Sequence, residues 1–171
     1  MWINSNNYIQ MKTIQVFLTM LIMSAMIGLV SCSSSGSLAK RELTQAIKKQ
    51  IDDQHYTIKV TRVIPMNGMS RELIPSYSLT IKGDTINSHL PYFGQAYSNI
   101  PYGGGQGLIF EAPIMGYSLK YNAKGTANIN ISTRSEDDTY KYQVQVFENG
   151  ATSILVTSNN RQTINYLGRI E

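Results

Sequence analysis

The side chain with the clearest chemical role in this sequence is Cys32, the only cysteine of the chain. A basic residue, Lys12, comes before it, and the run from Val16 to Val30 is mostly apolar. A basic start, a short apolar run and a small residue before the cleavage point are typical of a secretion signal. We therefore expect the thiol of Cys32 to stand first in the mature chain, where its sulfur can be alkylated.

The four residues Leu29-Val30-Ser31-Cys32 resemble the lipobox of bacterial lipoproteins. That resemblance implies a diacylglyceryl group on the sulfur, and two acyl chains hold a protein at a membrane stably. The apolar run of 15 residues is shorter than the roughly 20 that a spanning helix needs. We predict a signal peptide over residues 1–31, with its true start at Met11. The lipidated cysteine and a flexible Ser/Gly tether follow over 32–37, and a single domain covers 38–171.

Other reactive side chains form no recognisable catalytic or metal-binding constellation. The two histidines, His55 and His89, stand without a second cysteine or a ligand spacing typical of zinc. The acidic run 136–138 could hold calcium, although a solvated acidic turn is the favoured interpretation. Glu111 could be a perturbed carboxylate, face solvent or pair with a base such as Arg161. The sequence predicts no enzyme activity, no cofactor and no metal site.

The glycine-rich run Gly103–Gly107 also carries no nucleotide motif, because a predicted strand follows it. Phosphate-binding glycine loops open a helix, and neither the lysine nor the dinucleotide spacing is present. The chain carries a formal charge of +4 and its basic residues are scattered. A nucleic-acid partner would need a basic stripe, so we expect none.

Two hydrophobic periods predict the elements of the domain. Apolar residues recur at helical spacing over 38–54, which predicts one amphipathic N-terminal helix. From Tyr56 onward the period is two, which is typical of half-buried strands. Strands are expected near 56–64, 76–82, 85–90 and 107–111, and a five-strand meander over 115–168.

The turns fix the registers of these predicted strands. One register at each turn places the apolar residues of both strands on a single face, and a one-residue slip destroys this arrangement. The predicted pairs are Ile81–Ile86, Leu119–Ile129, Ile131–Tyr142, Val144–Ile154 and Val156–Ile164. The fold class is therefore mainly β. We expect a curved antiparallel meander of about nine strands, barrel-like or two-layered, with the helix covering one opening.

The loop between Leu90 and Gly107 is long and contains four aromatic residues. Loops of this length are usually functional or disordered, and aromatic residues argue against disorder. Tyr92, Phe93, Tyr97 and Tyr102, with Arg161, form the predicted binding surface. The alternative is that Tyr92, Phe93 and Tyr97 close one end of the sheet as a lid. The lid is favoured for Phe93, and the binding role for Tyr102.

Several short segments resemble Bacteroidetes envelope lipoproteins that carry a domain of unknown function, numbered 4251. The similarity extends over about 39–168 and includes Leu90–Gly94, Ala96-Tyr97, Pro101–Gly105, Phe110–Pro113, Asp137–Tyr140 and Ser158–Gln162. The resemblance implies an exported lipoprotein domain. It implies no activity, substrate or catalytic residue.

Three function classes remain open at this point. The first is a non-catalytic envelope module that binds a protein, a glycan or another partner. The second is a carrier that holds a lipophilic ligand inside a helix-capped half-barrel, although large inward residues favour a filled interior. The third, least favoured, is an enzyme. Ser33 after the lipidated cysteine, and no acidic export stretch over 33–37, predict an outer-membrane anchor facing the periplasm.

Overall fold

The structure is a computed structural model that describes residues 35–74, 76–97, 107–136 and 138–171. The chain divides into two units, Met1–Ala39 and Lys40–Glu171. The predicted signal peptide and Cys32 lie outside the described residues. The elements in chain order are α1 (Ser35–Asp52), β1 (His55–Pro65), β2 (Arg71–Glu72), β3 (Ser78–Lys82), β4 (Thr85–Leu90), β5 (Leu108–Tyr121), β6 (Ala127–Arg134), β7 (Thr139–Val146), β8 (Ala151–Ser158) and β9 (Ile164–Ile170).

Eight of these strands form a closed antiparallel barrel. The neighbours run β1-β3-β4-β5-β6-β7-β8-β9, and β9 pairs again with β1. Strand β1 pairs with β9 along one edge, over Ile58–Pro65. Along its other edge the first half of β1 pairs with β3 and the second half with the short β2. At the closing seam Gly168 lies opposite Val60, where a Cβ atom would collide with the Lys59 carbonyl.

The predicted hairpin registers are confirmed. Ile81 lies opposite Ile86, and Ile131 lies opposite Tyr142. Val144 faces Ile154, and Val156 faces Ile164. The left-handed turn glycines follow, with φ of 74° at Gly125 and 83° at Gly150. Burial of one face decides the register wherever the two strands are joined by a short turn.

The prediction for the middle of the chain was wrong in one respect. Two strands were expected, near 107–111 and from 115, but β5 runs without a break from Leu108 to Tyr121. Pro113 does not end the strand, and a bulge between Ile114 and Gly116 accommodates Met115. The strand pairs with β4 before the bulge and with β6 from Ile114 onward. The number of strands remains nine because the sequence did not predict β2.

Side chains fill the interior of the barrel. Inward positions hold isoleucine, leucine, valine and tyrosine, and the largest of them, including Tyr140, Tyr142 and Tyr166, are almost completely buried. The buried Ser88 hydroxyl is paired: it donates to the Leu108 carbonyl at 2.8 Å and accepts from Tyr142 at 3.1 Å. This pairing satisfies groups whose burial without a partner would be costly.

The helix covers the end of the barrel at which β1 starts; we call it the helix end. Ile47 and Ile51 are buried against the barrel core, and the Thr44 hydroxyl donates to the Glu148 carbonyl at 3.2 Å. The helix begins at Ser35, within the predicted tether. The sequence did not predict this start because serine and glycine give no periodic apolar signal. Leu43 faces solvent instead of the core. Within the described residues, no helix is long and apolar enough to cross a membrane.

Candidate functional site

The opposite opening, which we call the loop end, carries most of the predicted surface. The segment Pro91–Tyr97, here called the strap, leaves β4 and reaches the turn between β8 and β9. Strands β4 and β8 lie on opposite sides of the eight-stranded ring. The strap therefore crosses the opening, and its two ends are held by different parts of the barrel.

The Tyr92 side chain, which packs partly against the barrel core, holds the middle of the strap. Its hydroxyl lies 2.9 Å from the carbonyl oxygens of both Gln95 and Gln162, and it donates to one of them at a time. The guanidinium of Arg161 stands over the ring at 5.3 Å from its centre. Burial raises the pKa of Tyr92, so the phenol keeps the proton that it donates. These contacts hold Tyr92 partly buried against the core, and the choice between its lid and binding roles stays a prediction.

A short backbone ladder fixes the far end of the strap. Ala96 and Arg161 form an isolated antiparallel bridge. The Tyr97 amide donates to the Asn160 carbonyl at 2.7 Å, and the Gln162 amide donates to the Gln95 carbonyl at 2.9 Å. These bonds hold the backbone of Tyr97 while its side chain remains 67% exposed.

A second layer of polar contacts supports the strap, and the sequence did not reveal it. The Asp138 carboxylate accepts from the Thr139 and Asn160 amides at 2.7 and 3.1 Å. The Tyr166 hydroxyl donates to the Pro91 carbonyl at 2.8 Å, and burial raises its pKa well above the ordinary value. Asp138 was a candidate calcium ligand, but its two oxygens serve the backbone. Asp137 lies outside the described residues.

Large apolar side chains are exposed at this end of the barrel. We call them, together with Phe93 and Tyr97 of the strap, the apolar loop-end surface. The full set, with exposed fractions, is Met66 (69%), Met69 (87%), Ile74 (75%), Phe93 (38%) and Tyr97 (67%). The first three lie on the segment around β2 that follows β1. Two methionines within a polar turn, Met66 and Met69, are the sequence signal that could have indicated this part of the surface.

Two arginines accompany these apolar groups. The Arg71 guanidinium lies 5.0 Å from the ring centre of Phe93, as Arg161 lies over Tyr92. In the described part of the chain, the ion pairs are Lys59–Glu171 and Arg62–Glu72. Arg71 and Arg161 therefore have no carboxylate partner among those residues. Their charge stands beside apolar surface, where an acidic group of a partner could reach it.

The structure thus brings together four of the five predicted surface residues. Tyr92 and Arg161 are in contact, and Phe93 and Tyr97 belong to the same strap. Tyr102 lies outside the described residues. Glu111 does not pair with Arg161; its carboxylate accepts from the Asn87 amide group at 2.9 Å.

The histidines serve local backbone contacts at opposite ends of the barrel. His55 Nδ1 lies 3.1 Å from the Asp53 carbonyl oxygen, and His89 Nδ1 lies 3.0 Å from that of Ser76. Among the residues that the structure describes, no group of three or more histidine, cysteine, aspartate or glutamate side chains could hold a metal ion.

Comparison with known proteins gives a family and a fold. Residues 39–170 match the model of a domain of unknown function, DUF4251. A crystal structure of a DUF4251 family protein from Bacteroides eggerthii DSM 20697 is similar, with a TM-score of 0.60 and 12% identity. That similarity covers 75% of this chain and 86% of the other. No curated protein matches the chain. The family model covers most of the sequence, and this protein therefore belongs to the DUF4251 family.

Proposed function

We propose that this protein is a lipid-anchored, non-catalytic module of the cell envelope that binds a partner protein through its apolar loop-end surface. The anchor is the lipid on Cys32, in the outer membrane and facing the periplasm. The observation that carries the proposal is the exposure of Met66, Met69, Ile74 and Tyr97 above a filled barrel. Contiguous exposed apolar patches on soluble domains mark interaction sites.

The chemistry of this surface suits a protein partner. Methionine, aromatic residues and arginine are enriched at protein interfaces, and lysine and glutamate are depleted. The surface combines two methionines, two aromatic rings and two arginines that lack a carboxylate partner within the described residues. We therefore expect a partner that offers apolar side chains flanked by aspartate or glutamate.

The strap adds a second reason, because it is held in place before any partner arrives. Three backbone contacts, formed by Ala96, Tyr97 and Gln162, fix one end, and the Tyr92 hydroxyl fixes the middle. Binding then requires little further ordering of the backbone, which lowers the entropic cost of association.

The carrier alternative receives less support. A carrier needs space inside the barrel for its ligand, as in barrels that enclose small molecules. Here Tyr142, Tyr166 and the aliphatic side chains around them fill that space. Loading a lipophilic ligand would require the displacement of these core side chains. The enzyme class remains without a supporting constellation of residues.

Substitution of two residues of the apolar loop-end region, tested in cells, examines the proposed binding role. Full-length protein carrying Tyr97→Ala and Arg71→Glu together is chemically crosslinked in intact envelopes and compared with wild type. We expect a discrete crosslinked species to disappear while the melting temperature stays unchanged. Lys120→Glu, an exposed charge change on β5 near the helix end, is the matched control and should retain the species. Retention of that species in the double variant would refute the proposed surface.

The anchor has its own test. Cys32→Ser should give an unprocessed precursor without lipid, detected by its mass and by loss of palmitate labelling. Normal maturation and labelling of that variant would contradict the lipoprotein assignment.

A further inference from the structure

Among the residues that the structure describes, strand β5 has one edge that is only partly paired, although the barrel is closed. Residues 108–113 pair with β4 on one side, and pairing with β6 begins at Ile114. Strand β6 ends at Arg134, opposite the place where β5 continues toward Gly107. Between β5 and the β6–β7 hairpin this leaves a cleft of about 450 Å³, here called the notch.

The direction of the backbone groups in this segment follows from two hydrogen bonds. The Ile114 amide donates to the Asp84 carbonyl on the β4 side at 2.6 Å. Backbone groups alternate along a strand, so those of residues 108, 110 and 112 also point to β4, and those of 109, 111 and 113 point to the notch. The Thr133 hydroxyl donates to the Pro113 carbonyl at 2.8 Å, which agrees with this assignment.

Ile109 and Glu111 therefore present one N–H and one C=O group each to the notch. No backbone partner for these groups exists within the described ranges. Pro113 stands at the next position of the same edge, where its missing N–H removes no ladder bond. Proline within a sheet is confined to such edge positions. The position of Pro113 therefore agrees with an edge that β6 does not pair.

The surroundings of the notch suit an added strand. Ile109 is 45% exposed on the outer face, and the ring of Phe110 stacks on that of Tyr140 at 5.0 Å on the inner side. Arg134 and Glu136 are exposed on the hairpin side. The free edge from Gly107 to Pro113 spans roughly 20 Å of extended chain.

We propose that the notch is a second binding site, which takes an extended polypeptide segment of a partner protein by strand addition to β5. Alternating N–H and C=O groups about 7 Å apart along one edge are matched by another extended backbone. Side chains of the guest then alternate between the outer face beside Ile109 and the inner face beside Phe110. This site is separate from the apolar loop-end surface, and its test uses none of that surface.

Amide hydrogen exchange of the free protein provides the first test. The Phe110 and Ala112 amides are bonded to β4, while the Ile109 and Glu111 amides face the notch. We expect the latter pair to exchange at least ~100-fold faster. Equal protection in a monomer would mean that the chain's own residues occupy the edge. Equal protection in a dimer, shown by light scattering, would mean that a second copy does. Either result would overturn the proposal.

Peptide titration provides the second test. The probe is a capped synthetic peptide of alternating valine and threonine with one lysine, and its control is N-methylated on alternate amides. We expect the plain peptide to shift and protect the Ile109 and Glu111 amides and the methylated peptide to do neither. Ile109→Pro removes the Ile109 N–H, which faces the notch, and breaks no hydrogen bond to β4, so this variant should abolish the shifts. Ile109→Ala keeps the N–H and should retain the shifts. Unchanged binding to a folded Ile109→Pro variant, or no shift with the plain peptide, would refute strand addition.

Discussion

The two ends of the barrel are closed in different ways, and we propose that this difference separates stability from partner binding. At the helix end, Ile47 and Ile51 enter the core. Among the described residues from Lys40 onward, the exposed apolar side chains at this end, Leu43, Tyr121 and Phe147, are each less than half exposed. At the loop end, hydrogen bonds of the strap close the opening, and four large apolar side chains are about two-thirds exposed or more. Apolar burial at one end stabilises the fold, and apolar exposure at the other is the basis of the binding role that we propose.

Removal of a core side chain at the helix end should have the largest effect on stability. Ile51 is 1% exposed, and Ile51→Ala should lower the free energy of unfolding by about 2–5 kcal/mol through lost burial and a cavity. Chemical denaturation measures the loss. The control is Leu43→Ala on the same helix, where a 48% exposed side chain should give a much smaller change. Equal losses would show that the helix does not close the barrel through Ile51.

A backbone substitution at the same end should have the next largest effect. Gly150 has a φ of 83°, a conformation in which a β-branched residue is strained. Its Cβ atom would also lie 3.3 Å from Ile47 Cδ1, so Gly150→Val should destabilise by about 1–3 kcal/mol. Ala151→Val, on β8 next in the chain, is the control and should be nearly neutral. Similar melting temperatures for the two variants would argue against the left-handed backbone conformation at Gly150.

At the loop end, loss of one hydroxyl should have a local effect. Tyr92→Phe removes the donor shared by the Gln95 and Gln162 carbonyls, and we expect a loss of about 1 kcal/mol. Amide exchange should accelerate at Tyr97 and Gln162 and remain unchanged at Ile129 in the barrel. Tyr77→Phe, on a half-buried tyrosine outside the strap, is the control and should leave the strap amides protected.

The smallest stability effect is expected on the exposed surface itself. Tyr97→Ala should change the free energy of unfolding by no more than about 0.5 kcal/mol, because the side chain is 67% exposed. A loss as large as that of Ile51→Ala would assign Tyr97 to the core and remove it from the binding surface.

The sequence predicted the hairpins well because each register depends on residues close together in the chain. Ile81 and Ile86 must share a face whichever fold contains them, and a short turn leaves one solution. The continuity of β5 through Pro113 could not be predicted in this way. It depends on which edge of β5 lacks a partner, and this follows from the lengths of β4 and β6 in the folded barrel.

The candidate site was predictable in composition but not in geometry. Aromatic residues in a long loop indicated the strap, and Arg161 was included with it. The contact between Arg71 and Phe93, and the support of the strap by Asp138 and Tyr166, join residues 22 to 75 positions apart. Such contacts arise only when the barrel closes, so no local pattern reveals them.

Photo-crosslinking from the two ends of the barrel in living cells tests whether the loop end is the binding surface. A photo-reactive phenylalanine analogue replaces Tyr97 at the loop end or Phe147, which is 43% exposed, at the helix end. Both variants should fold, because both side chains are at least partly exposed. We expect light to produce a discrete adduct with an envelope protein from position 97 and none from position 147. Equal adducts from both positions, or an adduct from position 147 alone, would contradict it.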